Sequence, residues 1–373
     1  MFSFLPFNDQ HMTVALVSKH WHAWALQQRG GETWFHPKSS QRLPRHAVRH
    51  AWSSKLSRRA KTQVLAAAAN CGDLELLRWM QRRGGRWDVS VCAAAAAGGQ
   101  LDVLRWLRNR RRPCPWDATV CRAAAGAGQL AALQWLRSED PPCPWDNCTC
   151  CAAAREGHLC VLQWLCGRQD SPGWWWYIAC DAAAEGGHLD VLRWMSSADL
   201  GGFDMRLQES ICAAAASGGR LGVLRWLRAQ DPPCPWDERV CAAAAQAGHL
   251  GVLLWLRAQD PPCPWDERAC EGAARCGHLS MMQWLRAQEP PCPWDEDASA
   301  SAAIFGRLDM LQWLRAQEPP CPWDERVVEW ARRFSRHELL RWALAQGAPA
   351  WPEPGRLRRA VALLMSGVCM GRR

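Results

Sequence analysis

The residues with the most chemical potential in this chain are its 20 cysteines and 11 histidines, supplying thiolate and imidazole ligands. The densest group is Cys148-Thr149-Cys150-Cys151, with Cys143 and His158 close by in sequence. Zinc would need four such ligands converging at about 2.0–2.3 Å. Most of the cysteines instead recur in register with a repeat of about 29 residues. Equivalent cysteines of neighbouring units should then stand roughly one helix layer, ~10 Å, apart, too far to share an ion. The sequence therefore predicts no metal site and no cofactor, and reads the thiols as reduced, buried, small apolar side chains. That usage points to a reducing compartment, cytoplasmic or nuclear.

Catalytic constellations are also missing from the pattern. No Lys follows Lys61, which removes a Gly-rich phosphate loop. There is no Gly-x-Ser-x-Gly, and no acid, base and nucleophile stand together outside the repeat register. The sequence predicts a non-enzyme. No apolar run approaches the ~18 residues of a membrane span. The opening Met-Phe-Ser-Phe-Leu-Pro-Phe-Asn-Asp has no basic segment and meets Asp9 early, so a secretory leader is not expected.

The elements that would position any functional side chain show in the Trp usage, 26 against a single Tyr. One Trp column runs through 79, 106, 135, 164, 194, 226, 255, 284, 313 and 342. A second sits in Cys-Pro-Trp-Asp at 116, 145, 236, 265, 294 and 323, with Trp87 and the Trp174 to Trp176 run in the same register. Fixed self-similarity of this kind marks a stacked repeat architecture. One unit, from Cys234 to Pro262, reads CPWDERVCAAAAQAGHLGVLLWLRAQDPP. Pro235 disfavours helix at Cys234, and Asp237 is placed to cap the first turn. Glu238 to Gln246 is an Ala-rich helix, and Gly248 suits its C-terminal end. A Leu/Trp-rich second helix runs from about His249 to Gln259 until Asp260-Pro261-Pro262 stops it. In the sister unit the polar positions Asp102, Arg105 and Arg108 leave only a narrow wet stripe, which predicts cover on two sides and a core role for the Trp column. Two such short helices cannot bury these faces alone and must stack on copies of themselves. The expected fold is an all-α helix-turn-helix solenoid of about ten 29-residue repeats with short Pro-rich loops, Ala-rich helices inside and Trp-bearing helices outside.

The string AAAxxGHLxVLxWLR, at Ala242 to Arg257 and its copies, resembles the ankyrin repeat, in which an Ala-rich helix ends at Gly-His-Leu and a Leu-rich helix follows. The resemblance covers residues 62–348. It implies protein-binding scaffolding, with the turn His (158, 188, 249 and 278) bonded to backbone. The unit departs from ankyrin in being shorter than about 33 residues, with Cys-Pro-Trp-Asp in place of Thr-Pro-Leu-His, so a shortened or absent β-hairpin is expected. Trp-Asp dipeptides do not make this a propeller, whose blades are about 40–45 residues of strand.

Residues 1–35 contain FSFLPFNDQHMTVALVSKHWHAWA, which resembles the second half of an F-box through Leu16, Val17, Lys19, Trp21, Trp24 and Ala25. That resemblance implies docking of Leu16, Val17, Trp21 and Trp24 on a Skp-type adaptor of a cullin ubiquitin ligase. The first F-box helix is absent or reduced to Phe2 to Leu5, and the same stretch also fits an N-terminal helical cap. Residues 36–61 form a basic linker or helix with eight Lys/Arg and no acid. The first 112 residues hold 19 basic and 6 acidic side chains; the remainder holds 26 and 30, so the formal +9 comes from the N-terminal third. The alternative reading this supports is a nucleic-acid-associated protein using 36–61, although the scattered charges equally suit a solvated linker. Residues 349–373, rich in Pro and Arg, are read as a C-terminal cap and tail.

The leading expectation is thus a protein-interaction scaffold, monomeric, binding other proteins through its repeat surface. Residues departing from the unit consensus near the end of the first helix are the candidate contacts: Arg122, Arg155, Glu156, Asp181, Glu185, Gln246, Glu271 and Arg275. Trp174 and Trp175, in the irregular middle repeats, are added to them.

Overall fold

The computed structural model describes residues 58–167, 175–197 and 210–350, together with Arg49 and Trp52. The described residues are helical and contain no strand. The chain divides into two compact units, residues 1–205 and 206–373. The first holds α1 (Arg58–Asn70), α2 (Leu74–Arg82), α3 (Val89–Ala97), α4 (Leu101–Arg108), α5 (Ala118–Gly126), α6 (Leu130–Ser138), α7 (Asn147–Arg155), α8 (Leu159–Cys166), α9 (Trp175–Gly186) and α10 (Leu189–Ser197). The second holds α11 (Ser210–Ser217), α12 (Leu221–Arg228), α13 (Glu238–Ala247), α14 (Leu250–Arg257), α15 (Glu267–Cys276), α16 (Leu279–Arg286), α17 (Glu296–Ile304), α18 (Leu308–Arg315), α19 (Glu325–Arg333) and α20 (His337–Ala345). The described residues of each unit form a stack of five helix pairs, a helical repeat solenoid.

The repeat consensus fixes where each helix starts and stops. Asp237 takes an extended conformation and its carboxylate accepts the Arg239 N–H at 3.0 Å, which supplies one free donor of the first turn. Asp88, Asp117, Asp146, Asp266, Asp295 and Asp324 cap their helices in the same way. At the other end Gly248 sits at φ +80° and lets the His249 N–H reach back to the Ala244 carbonyl at 2.9 Å. An L side chain rarely adopts that conformation, which is why glycine closes the helix here.

Packing follows residue size. Ala244 and Ala245 are wholly buried, and first helices of successive repeats lie against one another: α1 to α3, α5, α7 and α9 in the first unit, α11 to α13, α15, α17 and α19 in the second. Side chains no larger than a methyl group permit that approach. Each second helix packs on its own first helix and, except in α20, buries three apolar positions, as Val252, Leu253 and Leu256 do in α14. The expectation that this helix is covered on two sides does not hold: Leu250 and Trp255 remain half-buried and Leu254 is exposed.

Candidate partner-binding surface

In the Cys-Pro-Trp-Asp loop the three side chains besides Pro go to different places. The Cys turns inward and is buried at positions 114, 143, 234, 263, 292 and 321. The Asp caps the following helix. The Trp turns outward, half-buried, and meets the Trp of the same repeat's second helix. The ring centroids are 6.1 Å apart for Trp236–Trp255, 6.2 Å for Trp265–Trp284, 6.4 Å for Trp294–Trp313 and 6.1 Å for Trp323–Trp342. The first unit repeats the arrangement at Trp87–Trp106, Trp116–Trp135 and Trp145–Trp164. Most of these pairs are edge-to-face, the orientation that the ring quadrupole favours. The predicted core role for the Trp column is therefore corrected: the indoles cover one another on the outer row because, among the described residues, no further layer lies over them.

An Arg from the preceding repeat completes each pair that begins in a Cys-Pro-Trp-Asp loop, whereas Arg110 of the same repeat serves Trp87 and Trp106. Arg228, Arg257 and Arg286 stand 4.0, 4.0 and 3.9 Å from the centroids of Trp236, Trp265 and Trp294. Arg108 lies 3.7 Å from the Trp116 centroid. The same guanidinium donates to the carbonyl of the loop Cys, at 2.8 Å for Arg228 to Cys234 and 2.6 Å for Arg257 to Cys263. One planar cation thus stacks on a ring and fixes the loop beside it, which a lysine could not do.

The turn His makes a second tie between repeats. Nε2 of His249 lies 3.0 Å from the Ser217 carbonyl, and that of His278 lies 3.1 Å from the Gln246 carbonyl. His158 and His188 reach Gly126 and Arg155 at 3.1 and 2.7 Å. Where Gln100 replaces His, its Nε2 donates to the Asn70 carbonyl at 3.2 Å. Carbonyls at the end of one first helix, which lack an intrahelical donor, are satisfied by the next repeat.

Several predicted contact residues belong to this internal bonding. Arg122 pairs with the capping Asp146 of the following repeat at 2.8 Å. Arg155 pairs with Glu185 at 2.9 Å, also across repeats. Glu271 holds Arg275 at 2.5 Å on its own helix and accepts from Ser301 Oγ at 3.2 Å. Asp181 is half-buried on α9, while Glu156 and Gln246 are exposed. Trp175 is wholly enclosed. It therefore leaves the set of surface contacts, with Tyr177 and Ile178 of the same helix exposed instead. Trp174 lies outside the described residues, as do Leu16, Val17, Trp21, Trp24 and most of 36–61.

Among the described residues no three His, Cys, Asp or Glu side chains come together in a way that could hold a metal ion. Cys148 is exposed, Cys150 buried and Cys151 intermediate, because successive helical residues point in different directions. Among the described residues no helix is long and apolar enough to cross a membrane.

No protein-family model matches the chain, and no curated protein matches it. Solved structures do match. The pentatricopeptide repeat protein PPR10 in complex with an 18-nt psaJ RNA element is 14% identical, with a TM-score of 0.36 over 82% of this chain and 52% of that one. PPR10 from maize is 12% identical, with a TM-score of 0.34 over 92% of this chain and 59% of that one. The chain spans little more than half the length of these structures. Likeness at that level carries no argument about repeat type or ligand.

Proposed function

We propose that this chain is a non-enzymatic protein-interaction scaffold of ankyrin type, and that the outer rows of Arg and paired Trp form part of its binding face. The carrying observation is that each regular repeat presents two half-exposed indoles held rigid by one guanidinium. Trp and Arg are the side chains most enriched among residues that dominate protein–protein binding energy. Their fixed geometry lowers the entropy lost on docking. The left-handed Gly and the turn His bonded to the preceding repeat support the ankyrin type.

The row suits protein better than nucleic acid. Base stacking needs open ring faces, whereas a guanidinium lies over one face of each loop indole and the second indole meets it obliquely or edge-on. The adjoining loops also carry exposed Asp260, Glu289 and Glu318, which repel phosphate. The ligase role rests on the resemblance of residues 1–35 alone, and co-purification with a Skp-type adaptor that is lost in Trp21→Ala tests it.

Affinity capture with the full chain and with the Trp265→Ala/Trp284→Ala double variant tests the scaffold. Loss of specific protein partners, with the helical circular dichroism retained, supports it. If the variant loses salt-sensitive binding to single-stranded RNA or DNA and no protein partner, the reading fails.

A further inference from the structure

Cysteines of the same column are one repeat apart, but cysteines of different columns meet. The first-helix Cys of one repeat and the loop Cys of the next, 22 positions later, share a buried site in five places: Cys92 with Cys114, Cys121 with Cys143, Cys212 with Cys234, Cys241 with Cys263, and Cys270 with Cys292. The surrounding geometry is regular. The helix thiol donates towards the carbonyl of its partner, at 3.7 Å for Cys121 to Cys143, 3.8 Å for Cys241 to Cys263 and 3.9 Å for Cys270 to Cys292. The loop thiol donates to the carbonyl of the preceding cap Asp, at 3.4 Å for Cys143, 3.5 Å for Cys263 and 3.3 Å for Cys292. All ten sulfurs belong to buried residues and none is bonded to another.

The two positions carry Cys together in five places but not throughout the chain. In the first repeat Leu65 and Gly85 stand where Cys92 and Cys114 stand in the next, and in the last repeat Val328 occupies the helix position and Ala350 the loop position. Cys150 and Cys180 also occupy the first-helix position, with Pro172 and Gly202 standing 22 positions on, and Cys321 has no first-helix Cys before it. At Cys321 the partner is Ser299, whose hydroxyl donates to the Cys321 sulfur at 3.4 Å and to the Pro322 carbonyl at 2.8 Å. Two ligands without a third make a poor zinc site.

We propose that the five dithiols are a modification site, at which a small hydroperoxide oxidant joins each first-helix Cys to the loop Cys of the following repeat as a disulfide staple between consecutive repeats. One thiolate attacks a peroxide oxygen, becomes a sulfenic acid and releases hydroxide, which takes up the thiol proton as water. The partner sulfur then displaces hydroxide from the sulfenic sulfur, closing the S–S bond and releasing a second water. Two S–H bonds are lost, both sulfurs are oxidised and the peroxide is reduced. The reaction is slow, because the neighbouring thiol and then burial hold one thiol of each pair protonated well above the ordinary thiol range, and the thiolate is the reacting form. The same enclosure shields the closed staple from reductants.

The test is graded exposure of the full-length chain to hydrogen peroxide, alkylation of the remaining thiols, and non-reducing peptide mapping. The expected products are the five crosslinks 92–114, 121–143, 212–234, 241–263 and 270–292, with Cys321 still alkylated and a higher unfolding midpoint for the oxidised chain. Ser299→Cys should add a sixth crosslink, 299–321, and no other. Crosslinks distributed at random among the cysteines would overturn the proposal. So would pair thiols that stay free while exposed Cys148 and Cys160 are consumed, or a Ser299→Cys chain that keeps its helical circular dichroism but gains no crosslink.

Discussion

Gly248 and Gly251 stand three residues apart, and replacing each with Ala should move stability in opposite directions. At Gly248 the backbone lies at φ +80°, a left-handed conformation that costs an L residue roughly 1–2 kcal/mol. A Cβ there would also stand 2.8 Å from His278 Cε1 and 2.9 Å from Nε2. The ring must move, and the bond between its Nε2 and the Gln246 carbonyl, 3.1 Å long, is lost at a net cost of roughly 0.5–1.5 kcal/mol. The stiffer unfolded chain returns roughly 0.4–1 kcal/mol, so Gly248→Ala should destabilise by about 1–2.5 kcal/mol. At Gly251, inside α14, nothing lies within 4 Å of the added carbon, and Ala should stabilise by about 0.5 kcal/mol. Gly277→Ala is intermediate: φ is +78°, but the nearest atom is Cδ of the flexible Arg307 at 3.0 Å. Urea unfolding by far-ultraviolet circular dichroism should therefore rank the midpoints Gly251→Ala, wild type, Gly277→Ala, Gly248→Ala. Adding His278→Ala to Gly248→Ala should leave only the backbone part. A Gly248→Ala midpoint at or above wild type, or equal losses at 248 and 251, would refute the roles given to the turn and the ring.

Further outcomes follow from other ties. Asp266→Ala removes the acceptor of the Arg268 N–H at 3.1 Å and should cost about 1 kcal/mol in the same assay. A double-mutant cycle on Trp265 and Trp284 should give a coupling of about 0.5–1.5 kcal/mol; a coupling near zero means the rings merely lie near each other. The Arg155–Glu185 pair is half exposed, so its cycle should give less than about 1 kcal/mol and fade as salt is raised. Iodoacetamide should label exposed Cys148 and Cys160 in the native chain, while Cys180 and Cys270, both wholly buried, should react only after unfolding.

The parts of this fold legible in the sequence are those governed by local rules. Asp at each helix start, Gly at each turn and Ala in each first helix state their conformations within a few residues. The outer row was misread for a specific reason. Trp255 and Leu256 look alike to a hydrophobic pattern, yet only Leu256 faces α13, and the cover for Trp255 comes from Trp236, 19 positions earlier. The first-helix contacts looked like free surface because Arg122, Arg155 and Glu271 depart from the consensus. Their partners Asp146, Glu185 and Ser301 lie 24 to 30 positions on, so these departures are answered by side chains of the neighbouring repeat. The thiol pairs escaped notice because alignment by repeat compares like with like, while the meeting is between unlike columns 22 apart.

These placements change where selectivity should be sought. Cys-Pro-Trp-Asp turns its sulfur into the join between repeats and its indole onto the outer row, so both functions recur in every regular repeat and distinguish none of them. The position just before the second-helix Trp is different. It is exposed, it lies beside the paired rings, and in the second unit it reads Arg225, Leu254, Gln283, Gln312 and Arg341. A cation, an exposed apolar side chain and neutral amides thus alternate along a fixed rail of Arg and Trp. Anchors that repeat supply affinity, whereas side chains that vary beside them supply the difference in affinity between partners. Leu254, 47% exposed, is the sharpest departure. In Leu254→Gln, which restores the residue of its neighbours, the binding of one partner should fall relative to others while stability stays unchanged.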